Sequence, residues 1–179
     1  MGLMYIHEEA ERAAITIGSR NPYKLLNAIG AITKISYEYE PDGLKGYSTI
    51  LHRQMFAVIN GRLNEFDRAI VAGHEAAHLI LHKDDILLSP TKALKDFNLY
   101  NDNGRLEHQA NTFLADFLVS DTQVMEIISN DSDYFAAARE LLMPPPLFAF
   151  KLYSMMKRDF KVHNPVGLQS GFLSDNNKY

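Results

Sequence analysis

The sequence predicts an α+β fold, with a small antiparallel sheet of about three strands packed among several helices. Three observations carry this expectation. Residues 35–60 hold short β-rich, partly alternating runs separated by turn residues. Residues 64–82 repeat apolar and histidine side chains at the 3.6-residue helical period. The chain has 179 residues, 46% of them hydrophobic and 22% charged, which suffices for one domain with a real core and little more.

In chain order, "HEEAERAAITIGSR" is built of helix formers and ends near Gly18. A second helix starts at Asn21, with Asn as cap and Pro22 at the first helical position, and carries "YKLLNAIGAI". Strands are expected at about 35–40, 46–52 and 55–60, the last two forming a hairpin around Arg53. Asn64 can cap a long helix to about residue 82, whose stripe is Phe66, Ile70, His74, Ala77, His78 and Leu81. The less regular stretch "KDDILLSPTKALKDFNLYNDNG" leads to a helix in "RLEHQANTFLADFLVS". Asp121 is placed to cap "TQVMEIIS", and "DSDYFAAARELL" makes the next helix. "MPPP" breaks the pattern and "PLFAFKLYSMMKRDF" restarts it with proline in its first turn, before a loosely structured tail.

Composition excludes several classes. With no cysteine, disulfides and thiolate ligands are both ruled out, so any metal must be held by His, Asp and Glu. No apolar run approaches the ~20 residues of a membrane span, and the N-terminus lacks a secretory pattern. A formal net charge of −4 argues against a nucleic-acid footprint. These features fit a cytoplasmic protein.

The chemistry lies in "VAGHEAAHLILHK", residues 71–83. His74 and His78 stand at i and i+4 on the buried stripe, so both imidazoles can reach one zinc ion at ~2.0–2.1 Å. Glu75 is turned roughly 100° away. It is ill placed as a third ligand but suited to take a proton from water beside the metal. Buried imidazoles without a metal would need hydrogen-bond partners.

A catalytic zinc wants a third protein ligand. His82 lies about 12 Å along the axis from His74, too far to share the ion, and reads as a packing residue or a partly positive cap at the helix end. His7, His52 and His163 are isolated. The better candidate is Glu107, beside the broad apolar side formed by Leu106, Ala110, Phe113, Leu114, Phe117 and Leu118. A carboxylate there is costly unless compensated, and a second helix delivering Glu gives the His₂Glu-plus-water set of gluzincins. The simpler alternative pairs Glu107 with Arg105 on the surface. Asn111, one turn on, is placed to orient a ligating imidazole.

"GHEAAHLILH" followed by "RLEHQANTFLADFLVSD" resembles the ImmA/IrrE family of zinc metallo-endopeptidases, and "HRQMFAVIN" and "LLMPPPLFAFKLYSMMKRDF" extend the likeness to most of the chain from about residue 45. The resemblance implies a compact gluzincin-like metallopeptidase domain with one Zn²⁺ per chain. It assigns His74, His78 and Glu107 as ligands and Glu75 as general base, and makes a repressor of a phage or mobile element the protein substrate. Ala77 stands where the family often has glycine, and Phe117–Ser120 replaces a common Leu-Leu-Met-Pro run. The expected organisation is one domain over 1–179: N-terminal helices to 34, sheet 35–60, zinc-site helices 64–119, C-terminal helices 121–160 and tail 161–179.

The oxyanion needs a second donor, and Tyr153, Tyr100 and His52 are the candidates. Substrate is expected to pair along the strand "MFAVIN". A catalytically silent interaction module of the same fold is the alternative, its metal site closed by a fourth protein ligand such as His108 or His82. A DNA-binding regulator is the weakest reading, and neither membrane nor direct nucleic-acid binding is expected. Oligomeric state is open.

Overall fold

Gly30 decides where the N-terminal helices give way to sheet. Helix α1 (Leu3–Ile17) ends at Gly18 as expected. Helix α2 (Pro22–Ala28) starts as expected too, the Asn21 side chain accepting from the backbone N–H groups of Tyr23 and Lys24. It stops earlier than its apolar pattern implies. Gly30 takes a left-handed φ of 75° and the Ala31 N–H turns back to the Leu26 carbonyl at 2.9 Å, a glycine-terminated helix end. The chain extends at once, so strand β1 is Ile32–Ser36 rather than 35–40. These features belong to a computed structural model that describes residues 1–96, 100, 104–129 and 133–162. His163 and nearly all of the expected tail lie outside the described residues.

Among the described residues the sheet has four strands and is mixed, where about three antiparallel strands were expected. Strands β2 (Gly46–Leu51) and β3 (Gln54–Asn60) form the expected hairpin. The 37–45 connection carries β2 past β3's future position, so β3 returns between β2 and β1 and runs parallel to β1. The fourth strand, β4 (Ala93–Asp96), pairs antiparallel with β2. The order is therefore β1-β3-β2-β4. This corrects the expectation that substrate pairs along 55–60, because β3 already has a neighbour on each side.

Helix α3 (Glu65–Leu81) is capped by Asn64, whose side chain accepts from the Asp67 N–H. It lies between the sheet and helices α2 and α5, so from Ile70 to Leu79 it is buried on every side rather than along one stripe. Phe66, expected on that stripe, sits in the exposed first turn. Gly73 permits the close approach of α5: a Cβ there would stand 2.4 Å from Leu114 Cδ1. Short helix α4 (Lys83–Leu88) follows, then α5 (Arg105–Leu118), α6 (Asp121–Ile128), α7 (Tyr134–Glu140) and α8 (Pro145–Lys157). The cap of α6 is Ser120, not Asp121: Ser120 and Gln123 form a reciprocal capping box.

Helix α5 divides two cores. Phe113 and Phe117 pack with Leu25, Leu26, Ile59 and Leu79 on one side, and Leu114 and Ala115 pack with Leu147, Phe148 and Phe150 on the other. Polar anchors fix its C-terminal half. Lys151, fully buried on α8, reaches Asp116 and Asp121 at 2.8 Å each. Ser154 donates to Asp116 at 2.6 Å, Arg158 binds Asp121 through both nitrogens, and Arg20 caps the helix end on the Asp116 and Phe117 carbonyls. His7 also meets Asp116 at 3.3 Å. With their charges answered by Lys151 and Arg158, these carboxylates form a structural network rather than a second cation site.

Replacing Asp116 with Ala should cost about 3–5 kcal/mol in urea unfolding, because it breaks a buried ion pair from one side. Burial alone would raise the Asp116 carboxyl, but His7, Lys151 and Ser154 hold it below the ordinary carboxylate range. Its contribution is therefore full above the unfolded value of ~3.9 and is lost as pH falls toward the lower folded value. Wild type should lose stability steeply below about pH 4, and Asp116→Asn should flatten that acid limb.

Candidate metal centre

The two α3 imidazoles converge. His74 Nε2 and His78 Nε2 are 3.0 Å apart, near the ~3.4 Å separating two nitrogens that each sit ~2.1 Å from one tetrahedral ion. Glu107, in the first turn of α5, brings one carboxylate oxygen to 3.2 Å from His74 Nε2 and the other to 3.4 Å from His78 Nε2. His74 Nδ1 lies 3.0 Å from Asn111 Oδ1. An amide oxygen only accepts, so the ring proton sits on Nδ1 and the Nε2 lone pair faces the cluster. The i, i+4 pair Glu107 and Asn111 thus meets the i, i+4 pair on α3.

His78 is oriented by a longer chain that sequence reasoning missed. Gln109 donates its amide N–H to the Met1 carbonyl at 3.1 Å, which leaves its Oε1 to accept from His82 Nε2 at 3.0 Å. His82 Nδ1 must then accept, and its partner at 2.9 Å is His78 Nδ1. The His78 proton is held on Nδ1 and its Nε2 lone pair points to the cluster. His82 does occupy the C-cap of α3, yet not as a partly positive cap: burial, then the neighbouring His78, push it down to about 4. It is a neutral relay. Its i+4 spacing from His78 was visible in the sequence, but Gln109 had no distinguishing signal.

Glu75 faces the sheet. It is fully buried, and neither carboxylate oxygen has a hydrogen-bond partner among the described residues. Gly46 on β2 makes room for it, since a Cβ there would stand 2.6 Å from Glu75 Oε1 and 2.5 Å from a Val71 methyl. A residue absent from the sequence expectation also enters. Asp96, the last residue of β4, lies 3.6 Å from His74 Nε2 through Oδ1 and 3.9 Å from His78 Nε2 through Oδ2. His74, His78, Asp96 and Glu107 each offer an atom within 4.8 Å of the others.

The electrostatics ask for a cation. Burial disfavours a charged His74, yet the carboxylates of Asp96, Glu107 and Glu75 draw a proton onto it well above the ordinary imidazole range. Burial, then the Asp96 charge, drives Glu75 well up. Burial would also raise Glu107, but His74 and His78 hold it well below the usual range. Three carboxylates around two imidazoles, with Glu75 Oε1 and Oε2 and Asp96 Oδ2 lacking hydrogen-bond partners among the described residues, is a costly arrangement without a positive charge. A divalent metal fits these donors. Their oxygen and nitrogen chemistry suits zinc, which His74, His78 and Glu107 could hold, with Asp96 in reach.

The oxyanion candidates scatter. His52 is exposed in the β2–β3 turn, at the opposite end of the hairpin from Gly46. Tyr100 is packed against the second core, its phenol raised by burial and then by Asp67. Tyr153 has its ring 5.4 Å from that of His108, the residue after Glu107. His108 packs edge-on against Phe150 as well, so the residue that stands across from the imidazoles as a possible closing ligand is Asp96.

A profile of the peptidase M78 family, the IrrE N-terminal-like domain, matches residues 33–163, from β1 through α8. The chain belongs to this family. Its membership makes it a metallopeptidase-type domain, and the candidate metal ligands, Glu75 and strands β2, β3 and β4 fall within the matched span. Among curated proteins, the "uncharacterized immunity region protein 2" of Bacillus phage phi105 is 30% identical, over 63% of this chain and 79% of that one. Among the described residues of this IrrE-like chain, no helix is long and apolar enough to cross a membrane.

If the relay sets the His78 lone pair, Gln109→Leu should weaken zinc binding by roughly 10–100-fold. A chelator competition titration reads the affinity, and the rise in melting temperature on adding zinc should shrink in parallel.

Proposed function

We propose that this chain is a zinc-dependent endopeptidase of the cytoplasm that hydrolyses a peptide bond in a regulatory protein, a transcriptional repressor of a phage or mobile element. Family membership and the phage immunity-region relative support the coarser part of this reading. The observation that carries the chemistry is Glu75, a fully buried carboxylate with neither oxygen hydrogen-bonded among the described residues, set beside His74 and Asp96. A purely structural metal site has no use for it.

His74, His78 and Glu107 would hold the zinc, which would supply Lewis acidity toward a carbonyl oxygen and the attacking water. Glu75 takes the water's proton and returns it to the leaving amine, so one carboxylate serves as base and then acid. Asn111 and the His82–Gln109 relay keep the His74 and His78 rings turned and singly protonated on Nδ1. Among the three oxyanion candidates, Tyr153 packs against His108, the neighbour of Glu107. A substrate backbone pairs with the outer edge of β4, which no other strand covers among the described residues.

One observation favours a second reading, a catalytically silent metal-containing interaction module. Asp96 offers a fourth protein donor, and four protein ligands are the mark of a structural zinc site.

Zinc-loaded wild type and Glu75→Gln, each incubated with the repressor encoded beside this gene, separate the two. The peptidase reading expects defined fragments from wild type, with cleavage by Glu75→Gln lowered by at least about 10²-fold at equal zinc content. Binding without cleavage by both proteins would support the module.

A further inference from the structure

Three donors reach the metal position from helices, and the fourth comes from a strand edge. Asp96 ends β4, where it pairs with Gly46 and its carbonyl accepts from the Lys45 N–H at 2.7 Å. Strand alternation sends the preceding Lys95 to the outer face beside Tyr47 and Asp96 to the inner face. There it is 4% exposed and Oδ2 has no hydrogen-bond partner among the described residues. An unpaired carboxylate oxygen buried against two imidazole nitrogens is expensive unless it is a ligand.

We propose that Asp96 is a fourth protein ligand of the metal, closing the position that water needs, so that the resting chain is metal-loaded and latent. This rests on the peptidase reading above. Catalytic zinc sites keep one position open and structural sites fill all four. Here the filling residue is a hard carboxylate, the donor type that zinc holds less tightly than imidazole. It sits on a four-residue strand that, among the described residues, pairs on one side only. It also stands next to Glu75, where the water that Glu75 deprotonates would belong. A peptide that pairs along β4 draws on the same strand, so substrate entry and release of Asp96 are one event.

The test uses the full chain loaded with Co²⁺ in place of Zn²⁺, as wild type, Asp96→Ala and Asp96→Asn. Azide is added while the visible d–d spectrum is recorded, and zinc affinity is measured by chelator competition. In wild type, four protein ligands should leave the spectrum unchanged at azide concentrations that alter it in both variants. Asp96→Ala should also bind zinc at least about 10-fold more weakly. Should Asp96→Ala fail to fold by circular dichroism, the nearly isosteric Asp96→Asn decides the spectral comparison. A wild-type spectrum that responds to azide as the variants do, or an unchanged zinc affinity in Asp96→Ala, overturns the latch and leaves the peptidase reading standing. Wild type that takes up no metal at all overturns both.

Discussion

Two imidazoles one helical turn apart must keep their lone pairs on a single point, and much of the surrounding structure serves that constraint. His74 and His78 bring their Nε2 atoms to 3.0 Å of each other deep in the protein. Left alone they would turn to solvent or to carbonyl groups. Asn111 holds one ring and the His82–Gln109 chain holds the other. Asn111 and Gln109 both come from α5, which also carries Glu107. The spacing of α5 from α3 therefore sets the ligand geometry and the ring protonation together.

That spacing is itself a consequence of small residues and buried charge. Gly73 lets Leu114 ride directly against α3, and Gly46 lets β2 approach Glu75 and Val71. At the far end of α5, Lys151, Arg158 and Arg20 hold Asp116, Asp121 and the last carbonyls. The aromatic side chains of α5 fill one core while Leu114 and Ala115 enter the other, so rotation of the helix would disrupt both. The candidate metal site is thus built on a helix pair held by close approach at one end and buried charge at the other.

The long-period elements were legible in the sequence, and so were the residues they carry. The α3 pattern placed His74, Glu75 and His78 on one helix, and the apolar side of α5 made Glu107 a carboxylate in need of a cation; the structure brings these residues together. What escaped was set by partners distant in sequence. Strand β4 is four residues long, and its place beside β2 comes from pairing Gly46 with Asp96, so nothing local marked Asp96. The parallel pairing of β1 with β3 is invisible to alternation, which is the same for either direction. Gly30 ended α2 early because a left-handed residue outweighed an apolar pattern that ran on past it. His82 was seen, but its neutrality follows from burial and from Gln109, neither of which a spacing rule contains.

The central claim is that His74, His78 and Glu107 hold one zinc ion. Elemental mass spectrometry on purified wild type and Glu107→Ala, both supplied with zinc and desalted, tests it most directly. About one zinc per wild-type chain and strong depletion in the variant are expected. A wild-type protein that retains no zinc, or a Glu107→Ala variant that retains as much as wild type, would contradict it.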